Sequence, residues 1–380
     1  VAQYVPDGSD ALDRLVQSLV ELFGTAEREL VQLVAMQLRT GLEDGERNAA
    51  RALRMGELTR DAQTIARRLA EAYPGELDRI LAVASEWGAD AALQELSDLA
   101  DVPDITAATA ALPGAAAAQV VRADLSNALE DVTRRVLRFP DDVYRRAVAL
   151  DSTTVLLGTG TTQTAQAAAW NRLLDGGVTG FVDKSGRRWT LSAYTEMATR
   201  SATRRAYNDA HVGALRQAGI DLVSVVVGRG SCEPCARWAG KVLRTDNGPT
   251  GRIRVQHATE DREVTVTVAG TLDEAKAHKW RHPNCRCRTV AYLPGLSVIA
   301  DVTTYDPDAE KARQQLRYLE RQVRKAKSEA AAALDDDQRR TADRKVRDLQ
   351  ARIREHVAEH DLMRQRNREQ PDLGHIRRTR

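Results

Sequence analysis

The chain is poor in the residues that make stacking surfaces: of its 380 residues only three are Phe, five Trp and eight Tyr. Single-stranded nucleic acid is gripped largely by aromatic faces, so a base-stacking platform is excluded as the main device. Neither sign of charge dominates, because 56 basic residues meet 54 acidic ones for a formal net charge of +2. A dedicated nucleic-acid binder carries a net basic excess clustered on one face. No apolar run approaches the roughly 18 to 20 residues of a membrane-spanning helix. The start of the chain also lacks a basic stretch followed by an apolar one, so no secretory leader and no membrane partner are expected. Cysteine is scarce as well, with four in the whole chain. A chain this long builds a core well past the size that needs covalent staples, and a reducing cytoplasm is the expected compartment during synthesis, so the cysteines have another use.

What is present falls into regions of different period. From Asp10 to about Leu150 apolar residues recur at helical spacing, as in Leu12, Leu15, Val16, Leu19, Leu22 and Phe23. The pattern predicts a helical N-terminal region, residues 1–150, of about six or seven helices. Gly41, Gly45, Pro74-Gly75, Pro103, Pro113-Gly114 and Pro140 are expected to interrupt these helices or open their first turns. Residues 151–184 read as a linker and a short helix, with Ser152–Gln166 rich in Thr and Gly. A phosphate-binding loop is the sharper alternative there, but the Gly-Lys-Ser/Thr ending is missing.

The region 185–297 changes character. A small hairpin is predicted around Phe181–Trp189, then a helix from Leu191 to about Gln217 capped by Thr190 or Ser192. Strand-like stretches follow at 223–227, 241–243, 253–255, 263–268 and 289–292, so this part is expected to be a small α+β domain. From 307 to 370 the pattern is helical again. Leu316, Leu319, Val323 and Ala326 are spaced to face Val346, Leu349 and Ile353 across an acidic break at Asp335-Asp336-Asp337. This predicts an antiparallel helical hairpin with a coiled-coil seam, followed by a basic tail, 371–380. The fold class is mainly α with one small α+β domain.

All four cysteines lie in two stretches, Ser231-Cys232-Glu233-Pro234-Cys235 and His282-Pro283-Asn284-Cys285-Arg286-Cys287. Two cysteines two residues apart direct both sulfurs the same way, and a second pair from a distant segment completes a tetrahedron, for which zinc is the default ion. With His282, five candidate ligands compete for four places. Disulfides are disfavoured in the cytoplasm, although they could form later in a particle exposed to air or the extracellular medium. A Cys-His nucleophile needs only one of the four cysteines. A zinc-supported nuclease needs a catalytic His with a carboxylate beside it, and no acidic-His dipeptide precedes His278 or His282.

The stretch from Ser231 to Leu243 (SCEPCARWAGKVL), followed by HPNCRC, resembles the motif pair of two related families. These are the tailed-phage Mu F-like head morphogenesis proteins and the phage minor capsid protein 2 family. The helix Tyr194–Asn208, the turn Trp238-Ala239-Gly240-Lys241, and the tail segments Arg317–Lys325, Val346–Gln350 and Arg364–Glu369 are similar to segments of the second family. Together they cover roughly residues 185 to 370, whereas the first 150 carry no signature. Many minor capsid protein 2 members have His where this chain has Cys235 and Cys287.

The resemblance implies a structural component of a phage head, present in few copies, at the portal or capsid interior, with no enzyme activity. Portal and major capsid proteins are the implied partners, and the virion the implied destination after assembly in the host cytoplasm. A basic tail further suggests contact with packaged double-stranded DNA through Arg187, Arg188, Arg317, Arg321 and Arg324. The rivals are a phage-borne zinc-supported nuclease or toxin and a generic zinc-containing binding module.

Overall fold

In a computed structural model of the chain, the residues described are 9–43, 48–97, 119–134, 181–182, 186, 188–227, 231–299 and 305–370. Helices dominate. α1 (Ser9–Leu15), α2 (Gln17–Glu43), α3 (Asn48–Ser97) and a helix over 119–134, α4, account for the described part of the N-terminal region. After the short pair β1 (Phe181–Val182) and β2 (Arg188–Trp189) comes α5 (Leu191–Gln217). Thr190 caps α5, its hydroxyl accepting from the Ala193 amide at 3.2 Å, as its position predicts.

α3 corrects one expectation. Pro74 lies inside a helix of 50 residues instead of ending one. A proline there forfeits one backbone hydrogen bond and crowds the preceding turn, at a cost of about 3 kcal/mol. Leu69 and Tyr73 before it, and Leu77, Ile80 and Leu81 after it, are all buried. Packing of both flanks outweighs the local penalty. Gly41 likewise falls within α2. The punctuation expected at Gly45, Pro103, Pro113-Gly114 and Pro140, the linker at Ser152–Gln166 and the short helix after it lie outside the described residues.

The chain divides into two compact units, each assembled from separated segments. The first comprises residues 1–17, 75–126 and 197–310; the second comprises 18–74, 127–196 and 311–380. The first unit holds the sheet: β3 (Leu222–Val226), β4 (Val242–Arg244), β5 (Gly251–Gln256), β6 (Glu263–Thr271) and β7 (Arg288–Ala291). Their order is β5-β6-β4-β3-β7, with only β4 and β6 parallel. Alternation along β3 separates two apolar layers. Val223 and Val225 join α3 residues Ala92 and Leu96 and α5 residues Val212 and Leu215 on one face. Leu222 meets Val242, Val266 and Val268 on the other. Two short helices interrupt the strands, α6 (Glu233–Ala236) and α7 (Leu272–Ala277). α7 has no counterpart in the sequence reading. It opens on a reciprocal cap in which Thr271 and Glu274 each accept the other's amide.

The second unit contains α8 (Pro307–Ala331), from residue 311 onward, and α9 (Asp336–Glu359). Leu316, Leu319, Val323 and Ala326 bury against Leu349 and Ile353, with Val346 and Val357 at the margin. This is the predicted hairpin. Asp335 ends the turn and caps α9 by accepting from the Gln338 amide at 2.8 Å. The architecture is mainly helical with a small mixed sheet, as the sequence pattern predicts.

Candidate metal centre

Strand register brings the two cysteine stretches together. β3 and β7 pair antiparallel with Val226 opposite Arg288, so the end of one strand lies beside the start of the other. Cys232 and Cys235 follow β3, and His282 to Cys287 precede β7. Locally, Cys232 is the N-cap of α6, which carries the rest of the first stretch. Its carbonyl accepts from the amides of Cys235 at 3.1 Å and Ala236 at 2.9 Å. Pro234 sits in the first turn, where its missing N–H costs nothing.

The second stretch is bent by strain. Lys279, Arg281 and Asn284 take φ values of 66°, 57° and 64°, in the left-handed region that residues with a Cβ seldom enter. Three such residues within six positions hold the chain in a conformation its surroundings must impose. Trp280, almost fully buried, supplies part of that enforcement, and the Arg281 guanidinium stacks 4.3 Å above its ring. The Asn284 amide donates to the Ser201 hydroxyl of α5 at 3.1 Å.

The five candidate ligands converge. Cys232 Sγ lies 2.8 Å from His282 Nε2, and Cys235 Sγ lies 3.4 Å from Cys285 Sγ. Donor atoms of Cys232, Cys235 and His282 are mutually within 4.8 Å, as are those of Cys235, Cys285 and Cys287. Cys235 belongs to both sets. All four cysteines are free thiols, and 3.4 Å is far beyond the roughly 2.05 Å of a disulfide. Sulfurs bound tetrahedrally at about 2.3 Å from zinc would stand ~3.8 Å apart, close to the observed spacing.

Electrostatics describe the same cluster from another side. Hydrogen bonding with Cys235, and then with His282, lowers the Cys232 thiol to about 5 against the opposing effect of burial. Sharing with Cys232 and Cys285 pushes Cys235 up. Bonds from Cys235 and Cys287 pull Cys285 down to about 2, and Cys287 is raised by Cys285 and by burial although Cys235 opposes this. His282 is raised to about 9, first by its bond to Cys232. The shifts run in opposite directions within the cluster, because adjacent thiolates in an apolar setting repel. A divalent cation would displace thiol protons and hold four of the five donors in one ligand set.

Supporting contacts come from positions that carry no local signal. Arg286, between the last two cysteines, donates to Asp13 of α1 at 2.8 Å, across 273 positions of sequence. Asp13 also takes Arg200 and Arg204 of α5, at 3.1 and 3.0 Å. His211 of α5 meets Glu95 of α3 at 3.1 Å, and Glu95 accepts the Ala291 amide at 2.9 Å just after the second stretch.

The arginines proposed for DNA lie elsewhere. Arg317, Arg321 and Arg324 form one stripe of α8, four and three positions apart. Arg317 donates to Glu320 at 2.7 and 3.0 Å, and Arg324 donates to the Arg368 carbonyl. Arg321 is exposed, and its pKa is lowered first by partial desolvation and then by Arg324. Arg188 opens β2, and Arg187 lies outside the described residues.

Against known families, the model for phage minor capsid protein 2 matches residues 9–358. A "Structural protein" of Lactococcus phage LL-H is 29% identical over 231 residues, 58% of this chain and 60% of that protein. The chain therefore spans about three fifths of that curated relative's length. No solved structure matches the chain.

Proposed function

Because this chain belongs to the phage minor capsid protein 2 family, we propose that it is a minor structural protein of a tailed-phage head, seated at the portal or the capsid interior. The observation that carries this reading is the family match over residues 9–358, which takes in the paired cysteine stretches and the helical hairpin together. The relative from Lactococcus phage LL-H, itself a structural protein, supports it. Portal and major capsid proteins are the partners, the virion is the destination, and assembly takes place in the host cytoplasm. None of the described helices is long and apolar enough to cross a membrane.

In this role the cysteine cluster is a clamp and not a reaction centre. Zinc, held by four of Cys232, Cys235, His282, Cys285 and Cys287, would tie the end of β3 to the start of β7. The donor set fits: soft sulfurs, one imidazole, and spacings near those of a tetrahedral ion. The stripe Arg317, Arg321 and Arg324 would meet phosphates of packaged DNA without reading sequence.

Purified full and empty heads, resolved by electron cryomicroscopy and assayed by mass spectrometry, test the role. The chain should be found in both in few copies beside the portal. A chain present in infected lysate and missing from heads would overturn the reading.

A further inference from the structure

A second group of metal-binding side chains lies at the other end of the chain, on the last turn of α9. His356-Val357-Ala358-Glu359-His360 places two imidazoles four residues apart and a carboxylate between them. On a helix, positions i, i+3 and i+4 share one face, so all three side chains project to the same side. The structure bears this out: a ligand atom of each residue lies within 4.8 Å of the other two. The two imidazole rings stand 4.5 Å apart, centre to centre, and Glu359 Oε2 is 3.9 Å from His360 Nε2.

The hydrogen bonding of His356 gives a separate reason to read this as a site. Its Nε2 lies 2.7 Å from the Ala312 carbonyl of α8. A carbonyl only accepts, so Nε2 is the donor, and in the neutral ring Nδ1 is the nitrogen left with a lone pair. Metal-binding histidines almost always have their second nitrogen fixed in this way by a carbonyl or carboxylate. The backbone adds a further contribution. His360 is the C-cap residue of α9, where the last carbonyls of the helix concentrate partial negative charge and favour a cation.

We propose that His356, Glu359 and His360 form a second, independent site for a late divalent transition metal such as zinc, with its remaining positions open to water. Two nitrogens and one oxygen suit such an ion better than magnesium or calcium, which prefer oxygen alone. Through His356 and Ala312 the ion is coupled to α8. It would fasten the open end of the helical hairpin, opposite the capped turn at Asp335. The order His-x-x-Glu-His also occurs in hydrolytic zinc enzymes, but the site assigned here binds an ion and performs no reaction.

The test uses untagged full-length protein titrated with zinc alone by calorimetry, with metal content measured after dialysis. His356→Ala also removes the bond to Ala312 and could loosen the hairpin, so the decision rests on exposed His360. His360→Ala should lower the zinc bound by one equivalent per chain, and Glu359→Gln should weaken that equivalent at least about tenfold. Cobalt(II) distinguishes this site from the cysteine cluster, since thiolate ligands give intense charge-transfer bands and this site gives none. The bands should be unchanged in His360→Ala. Zinc should also raise the melting temperature of the wild-type chain above that of His360→Ala. Identical stoichiometry and affinity in wild type and His360→Ala would overturn the proposal, whether or not the cysteines bind metal.

Discussion

Arg286 and Asp13 are joined by an ion pair of 2.8 Å that links the cysteine-bearing loop to the first helix. Arg204, with its side chain only 9% exposed, depends on the same carboxylate. Burial raises the Asp13 pKa, but Arg200, Arg204 and Arg286 outweigh it and hold the group below the usual carboxylate value of 3.8. A depressed folded pKa means that the stabilisation is present above the unfolded value and lost as pH falls through the folded one. Asp13→Asn should cost about 3 kcal/mol at neutral pH, since it removes the carboxylate that Arg200, Arg204 and Arg286 share. Urea unfolding compared between wild type and variant should show that gap narrowing below about pH 4. An equal gap at pH 7 and pH 3 would refute the assignment.

Gly88 of α3 sets a second, steric test. A Cβ there would lie 2.1 Å from the backbone oxygen of Tyr207, so one helix can approach the other only while this position has no side chain. Gly88→Ala should destabilise by about 3 kcal/mol, the upper end of overpacking costs, despite the better helix propensity of alanine. A variant as stable as wild type in thermal melts would show that the helices separate freely.

Removal of metal tests the clamp. Protein purified without chelator should carry zinc, and Cys232→Ser with Cys235→Ser should lose one equivalent together with thermal stability. Metal-free wild-type protein that melts at the same temperature as zinc-loaded protein would leave packing as the sole role of the sulfurs.

The hairpin seam predicts ordinary core behaviour. Ile353 is fully buried, and Ile353→Ala should cost about 2 to 5 kcal/mol. Asp335→Ala, which removes the cap of α9, should cost about 1 kcal/mol. Denaturant midpoints that rank the two in the opposite order would contradict the packing described.

Contact with DNA is tested through salt. Retention on duplex DNA should fall linearly as log salt rises, and Arg321→Ala should reduce the slope by about one. Arg317→Ala should change it less, because Glu320 already accepts two bonds from Arg317. Retention indifferent to salt would remove DNA from the list of partners. No degradation of DNA or RNA is expected with added magnesium or manganese, and activity abolished by His282→Ala would instead favour the nuclease rival.

Periodicity made the hairpin, α5 and all five strands of the sheet legible, because each depends on residues near in sequence. The cysteine set was legible for the same reason, as spacing within each stretch is local chemistry. The framework around it was not. Asp13 is an unremarkable helix carboxylate until Arg200, Arg204 and Arg286 meet it, and Gly88 gives no sign that a carbonyl of Tyr207 approaches. Pro74 misleads in the opposite direction, since a strong local signal is overruled by burial on both sides. The His356, Glu359 and His360 group was written plainly at helical spacing, but within a seam whose apolar residues explained the pattern without it.

The division of both units into separated segments has a consequence in time. Asp13 leaves the ribosome long before Arg286, and at the usual 5 to 20 residues per second the delay is roughly 15 to 60 s. During that interval the first helix has no partner from the cysteine loop, and Cys232 and Cys235 have no His282, Cys285 or Cys287 to close with. The ion pair and the cysteine–histidine cluster therefore come together only on a chain that has been translated almost to the end of its first unit. A fragment that stops short of His282 lacks this late closure, so truncated chains would leave the first unit incomplete.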